Sequence, residues 1–255
     1  MSHGRTDGGA PPPLQITRPA PLRVPAQVPE YAELHCLSNF SFLRGGSHPQ
    51  ELIAQAHALA YRALALTDEC SLAGVVRAWE ETKRSPLQLI IGTELKLCDG
   101  PRLLLLAESR EGYARISAAI TRARLGSVKG SYRLDSASFG SDWRDVAAIW
   151  LPGATPHAAE AAWMQQRFAQ AWFAIERHLE GEDSARIDTL LKLGEQYGLR
   201  PVACGDVHYH APERRPLQDV LTALRLKKPL ARCGTALLAN GQRHLRRRET
   251  LARLY

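Results

Sequence analysis

Long apolar runs are missing from these 255 residues. None approaches the ~20 residues that cross a bilayer, so the sequence implies no membrane partner. The N-terminus carries an Arg but no apolar stretch behind it, which argues against a secretory signal. Cysteine is sparse and scattered. Cys36, Cys70, Cys98, Cys204 and Cys233 are odd in number and form no C-x-x-C pair. That pattern fits a reducing, cytoplasmic setting and argues against a disulfide framework or a structural zinc knuckle. There is no internal repeat and no Gly-rich phosphate loop of the P-loop or dinucleotide type. Charge of one sign is also unevenly spread. Residues 213–255 hold 11 Lys/Arg against 3 Asp/Glu, whereas residues 1–212 are almost balanced. The net charge of +7 therefore belongs to the tail.

What is present divides the chain into three parts. Residues 1–30 hold 7 of the 16 prolines, including Pro11-Pro12-Pro13, and read as a disordered, polyproline-like leader. From Tyr31 onward, strand and helix signals alternate. Strands are expected at Tyr31–Cys36, Arg62–Thr67, Leu87–Leu97, Leu103–Ala107, Val146–Leu151, Ala171–Glu176 and Pro201–Cys204. Helices are expected at Pro49–Ala60, Ser71–Arg84, Gly112–Leu125, Pro156–Gln170, Ser184–Tyr197 and Pro212–Leu226. About seven βα units fit between 31 and 227, so an α/β barrel with a mainly parallel sheet is expected over 31–228. Residues 229–255 read as a basic helical tail. Within it Arg243, Arg246, Arg247 and Arg248 are candidate phosphate contacts, and a solvated helix face is the plainer alternative.

Functional side chains of such barrels sit at the C-terminal strand ends. Those ends present His35, Asp68, Glu69, Glu94, Asp206 and His208. Imidazole and carboxylate ligands at several strand ends suit Zn, Mn or Fe, which would activate water and neutralise a phosphate. Each residue also has a plainer explanation. His35 serves as a hydrogen-bonded structural histidine, Asp68 caps the helix starting near Ser71, Glu94 pairs with an arginine, and Asp206 and His208 orient one another.

Four segments then carry a resemblance. Glu33-Leu-His-Cys-Leu-Ser-Asn-Phe-Ser-Phe-Leu43, Ala65-Leu-Thr-Asp-Glu69, Ile91-Gly-Thr-Glu94 and Val202-Ala-Cys-Gly-Asp-Val-His-Tyr209 fall in the order of the PHP (polymerase and histidinol phosphatase) domain. The stretches Leu103–Tyr113 and Asp219–Leu230 resemble bacterial C-family DNA polymerase III alpha subunits of the error-prone type. The resemblance covers about residues 31–250. It implies a distorted seven-stranded (β/α) barrel, a metal cluster held by His, Asp and Glu in active members, and phosphoester cleavage. It also implies DNA as a partner within a full-length polymerase, other mutagenesis proteins, and a role in damage-induced translesion synthesis. In complete relatives polymerase domains follow; this chain has no D-x-D triplet for a palm, so it is expected to be a fragment that cannot polymerise DNA alone.

The departures from the family pattern decide the expected chemistry. The H-x-H pair reads His35-Cys-Leu37, and Leu37 cannot ligate. Arg44 stands where an Asp is usual, Glu69 replaces the His of T-D-H, and Arg102 replaces a His. Retained ligand positions are His35, Glu94, Asp206 and His208, with Asp68 and Glu69 in support. At an effective dielectric of ~20, like unit charges ~4 Å apart repel by about 4 kcal/mol, so inward-pointing Arg44 and Arg102 would oppose cations. The expectation is a vestigial, metal-free site that is structural rather than catalytic, with at most a weak Zn, Mn or Mg. Two alternatives stand beside it: an independent metal-dependent phosphoesterase or 3′–5′ exonuclease, and a nucleic-acid-binding module working through the basic tail.

Overall fold

The computed structural model describes residues 16–22, 24, 25 and 27–255. Seven strands form one sheet in chain order: β1 (Ala32–Cys36), β2 (Ala63–Leu66), β3 (Gln88–Lys96), β4 (Arg102–Ala107), β5 (Val146–Trp150), β6 (Ala171–Glu176) and β7 (Arg200–Cys204). The barrel closes just beyond β7. Leu37 N donates to Val207 O at 2.8 Å, and Val207 N donates to His35 O at 2.8 Å. All neighbours pair in parallel except β4, which is antiparallel to both β3 and β5. One of the expected βα units is thus a hairpin: only Leu97–Pro101 separate β3 from β4, too few residues for the crossover that a parallel pair needs.

The helices are α1 (Pro49–Ala58), α2 (Val75–Thr82), α3 (Arg110–Leu125), α4 (Ala158–Arg167), α5 (Asp183–Tyr197), α6 (Arg215–Leu226) and α7 (Arg248–Leu254). Local chemistry fixes several ends. His48 N donates to Glu51 Oε2 at 2.8 Å, and Pro49 opens α1 where its missing N–H costs nothing. Ser109 Oγ accepts from Gly112 N to start α3, and Gly198 ends α5 at φ 65°. The helix expected from Ser71 starts instead at Val75, behind a turn.

Side chains alternate along the strands and split the core in three. Leu95, Leu103, Leu105, Trp150 and Phe173 face α3, α4 and α5 on the outside. Leu64 and Leu66 meet Leu52, Ile53 and Ala56 of α1 and Ala78 of α2. Ala65, Leu104, Leu106, Ile149, Leu151, Ala174 and Cys204 plug the barrel. The plug fills the interior, so only the strand ends are left to carry polar chemistry.

The leader's first fifteen residues, with Arg23 and Ala26, lie outside the described residues. Its described part forms no helix or strand but lies against the barrel. Leu22 N donates to Ala58 O at 2.6 Å, and the Arg18 guanidinium binds Glu81 at 2.6 and 2.9 Å. The tail is less helical than expected. Two short 3-10 turns, Leu230–Arg232 and Gly234–Ala236, precede an irregular stretch, and α7 is its only α-helix.

Candidate functional site

A β-bulge places the first site residue. Glu33 pairs with Leu64 and Cys36 with Leu66, so β1 carries one extra residue between those pairs. Leu34 lies against the barrel plug, and with unbroken alternation His35 would point outward. The bulge turns Cys36 to the α1 side and leaves His35 aimed into the barrel mouth. Glu94 shares the inward face of β3, and Glu176 follows Ala174 on the inward face of β6. Asp206 adopts φ 45°, a left-handed conformation that Asp tolerates, in the turn after β7. The antiparallel direction of β4 brings its first residue, Arg102, to this same end, opposite Lys96.

His35 is fully buried and spans two carboxylates. Its Nδ1 lies 2.7 Å from Glu176 Oε1, its Nε2 3.0 Å from Glu94 Oε2 and 3.6 Å from Asp206 Oδ1. Burial disfavours the imidazolium, but the bonds to Glu176 and Glu94 outweigh it and hold the pKa above its ordinary value. Glu94 is opposed by burial too. His35, Arg44 and Arg102 nevertheless push it well below the usual carboxylate range. Glu176 is likewise held low against burial by its bond to His35.

Three guanidinium groups complete the arrangement. Arg44 Nη1 donates to Glu94 Oε1 at 2.8 Å and to Glu69 Oε2 at 2.5 Å, and Arg44 Nη2 reaches Glu94 Oε2 at 3.2 Å. Arg102 Nη1 stands 3.9 Å from Glu94 Oε1. Arg243 pairs with Asp206, whose other oxygen, Oδ1, lies 3.1 Å from His208 Nε2. Four carboxylates, Glu69, Glu94, Glu176 and Asp206, thus meet three arginines and His35, which balances the charge inside a buried cluster.

Arg44 is held there by the loop after β1. The Asp68 carboxylate accepts from Ser38 N, Ser38 Oγ, Ser41 N and Ser41 Oγ at 2.7–3.1 Å. This corrects the helix-cap reading of Asp68, because its lone pairs are spent on the loop and α2 begins seven residues beyond it. Gly45 packs so closely that a Cβ there would lie 1.9 Å from Ser38 O. Gly46 N donates to His208 O at 2.7 Å and ties the loop to the turn after β7.

Of the expected positions, His35, Glu94, Asp206 and His208 converge, Glu69 joins them through Arg44, and Asp68 acts through the loop. Leu37 is fully buried. Glu176 and His178 were not among the expected residues, although Glu176-Arg-His178 closes a strand whose limits were legible and has the same alternating form as Asp206-Val-His208. Arg243 had no local signal: it arrives from the tail, whose backbone pairs Arg243 O with His208 N at 2.9 Å. The phosphate-contact reading of the tail is corrected for three arginines. Arg243 is taken by Asp206, Arg246 is buried and donates to Arg177 O at 2.9 Å, and Arg248 donates to the carbonyls of Val28, Pro29 and Ala60. Arg247 is exposed.

The mouth opens into a cavity of about 760 Å³ lined by Arg102, Glu176, His178, Asp206, His208 and Arg243, among others. His178 and His208 are kept neutral. Burial lowers both to about 3, with Arg243 adding to the effect at His178 and Arg44 at His208. Neither nitrogen of His178 has a hydrogen-bond partner among the described residues, nor does His208 Nδ1. Ligand atoms of His35, Glu176 and Asp206 lie within 4.8 Å of one another, close enough to share one ion. A cluster of several metals does not fit. Both His35 nitrogens face carboxylates, and the carboxylates themselves are held by Arg44 and Arg243. A cation would have to enter beside fixed positive charge.

Comparison with known proteins accords with the fold. The family model described as the PHP domain matches residues 33–197. The chain is 55% identical over 227 residues to an error-prone DNA polymerase of Methylococcus capsulatus, covering 88% of this chain and 22% of that protein. It is 53% identical over 234 residues to an error-prone DNA polymerase of Dechloromonas aromatica, covering 89% and 23%. The chain therefore spans less than a quarter of the length of these relatives. A candidate metal-dependent phosphoesterase from Bifidobacterium adolescentis shares the fold at a TM-score of 0.53 and 16% identity, over 72% of this chain and 88% of its own.

Proposed function

Because this chain belongs to the PHP domain family, we propose that it is the PHP domain of an error-prone DNA polymerase, with a structural rather than hydrolytic role. The reading places it in the cytoplasm, with DNA as the partner of the whole enzyme, in damage-induced translesion synthesis alongside other mutagenesis proteins. It takes residues 31–228 as the barrel and 229–255 as a tail folded back onto it. No helix among the described residues is long and apolar enough to cross a membrane.

The observation that carries the non-hydrolytic part is the pairing of Arg44 with Glu94 and of Arg243 with Asp206. These arginines occupy the carboxylates that would otherwise bind and bridge cations. Purified protein is expected to hold less than one equivalent of Zn, Mn or Fe by elemental analysis. It is expected to leave nitrophenyl phosphate and DNA 3′ ends intact when Mn or Zn is added. Two or more bound metals would overturn it.

The polymerase part has its own test. A hybrid in which this chain replaces the matching segment of the Methylococcus capsulatus relative is expected to extend a primer. A folded hybrid that does not extend one counts against the assignment.

A second reading, a single-metal phosphoesterase, is favoured by the approach of His35, Glu176 and Asp206 and by the unpartnered nitrogens of His178 and His208. Metal-dependent cleavage abolished by His208→Ala would support it.

A further inference from the structure

Helix α6 is packed with its polarity reversed. An amphipathic surface helix turns its apolar stripe to the core. In α6 the residues buried are Gln218, Thr222 and Ala223, and Gln218 Oε1 has no hydrogen-bond partner among the described residues. The apolar stripe Leu217, Val220, Leu221 and Leu224 follows i, i+3, i+4 and i+7, and Leu224 is 58% exposed. Burying a polar stripe while exposing a leucine stripe is costly for a free surface, and it is the arrangement expected of a helix covered from outside.

Two further features extend this face. Phe42 is 81% exposed on the loop after β1, and it is turned out next to Leu43, which sits at φ 57°, a strained conformation for leucine. Phe42 and Leu43 form a groove of about 260 Å³ with Leu217 and Leu221. Beyond the C-terminal end of the stripe lie Lys227, Lys228 and Arg232. All three are exposed, and none is in an ion pair among the described residues.

We propose that the Phe42 loop and the outer face of α6 form the docking surface for the remainder of the polymerase polypeptide. That remainder would contribute an apolar ridge bordered by acidic side chains. The proposal rests on the polymerase reading above. Two observations select this occupant. The relatives that match at 53–55% identity run to more than four times the matched length, so a large polypeptide is covalently joined to the matched segment in them and is the nearest available partner for an exposed apolar face. The basic margin, unpaired among the described residues, calls for a carboxylate-rich partner edge.

The test uses thiol labelling. Leu224→Cys is introduced with Cys98→Ser, which removes the exposed native thiol. Maleimide reaction rates are compared in the chain alone and in the primer-extending hybrid, with Val128→Cys as an exposed control. The expected result is labelling at least tenfold slower in the hybrid at position 224 and unchanged at 128. The pair Leu217→Asp and Leu224→Asp is expected to cut primer extension by the hybrid at least tenfold while leaving the melting temperature of the chain alone unchanged. Equal labelling in a hybrid that extends primers overturns the docking surface and leaves the polymerase assignment standing. A folded hybrid without extension removes the assignment itself, and with it this inference. Protection of position 224 in the chain alone that rises with concentration, with a dimer mass by light scattering, assigns the face to a second copy and also overturns it.

Discussion

Arg44 grips Glu94 with both arms of its guanidinium, Nη1 to Oε1 at 2.8 Å and Nη2 to Oε2 at 3.2 Å, at the mouth of a barrel. The planar fork matches the two carboxylate oxygens and supplies a fixed charge that cannot be titrated away. The rest of the cluster is arranged around this pair, because Glu94 is also the partner of His35.

Removing one side of that pair is expected to be costly. Arg44→Ala leaves Glu94 buried beside too little positive charge, and loss of a partner from a buried pair costs roughly 3–5 kcal/mol. Urea unfolding should show a lower midpoint with an unchanged slope. A double variant, Arg44→Ala with Glu94→Gln, should recover part of the loss. Equal stability of Arg44→Ala and the parent would mean that the pair is idle.

The loop that carries Arg44 should fail with its anchor. Asp68→Ala strands the backbone N–H of Ser38, an unsatisfied buried donor costing about 1–3 kcal/mol, and leaves Ser41 N only its 2.9 Å bond to Ser38 O. Faster amide exchange across residues 38–46, with β4 to β6 unaffected, is the expected signature.

The pH profile of stability should be a dome. His178 and His208 sit at about 3 when folded, below the ordinary histidine value near 6.5. Their contribution is full above ~6.5 and is lost as pH falls toward 3, each by up to about 1.4 kcal/mol per pH unit. His35 has the opposite sign. Its folded pKa is raised, so its contribution is full below ~6.5 and is lost as pH rises through the folded value. Denaturant midpoints from pH 4 to 9 should therefore fall on both sides. His178→Phe should flatten the acid limb, and His35→Gln the alkaline one.

The tail arginines should matter to folding more than to DNA. Arg243→Ala, which frees Asp206 in the buried cluster, is expected to lower the melting temperature by several degrees. Its effect on binding to single-stranded DNA, measured by anisotropy at low and moderate salt, should be within twofold of the parent. A large loss of DNA affinity without loss of stability would restore the phosphate-contact reading.

Much of this was readable from residues alone. The strand at Ala171–Glu176 has the limits that its sequence suggested, and Leu52, Ile53, Ala56 and Leu59 face one core because helical periodicity is local information. Several plainer explanations also held: Glu94 does pair with an arginine, and Asp206 does meet His208. Composition and order of motifs, carried by contiguous segments, were enough to determine the family and the barrel.

Tertiary structure decided the chemistry of the mouth. Whether Arg44 points at Glu94 depends on four hydrogen bonds from a loop to Asp68, some thirty residues away in sequence. Whether His35 points in or out depends on one extra residue in β1, visible only against its partner strand. Arg243 reaches Asp206 across a turn, a helix and three 3-10 segments, a contact with no sequence period to announce it. Local pattern determines which elements form. The partners of a buried charge are set by closure of the barrel, because only then do residues distant along the chain share a space from which water is excluded.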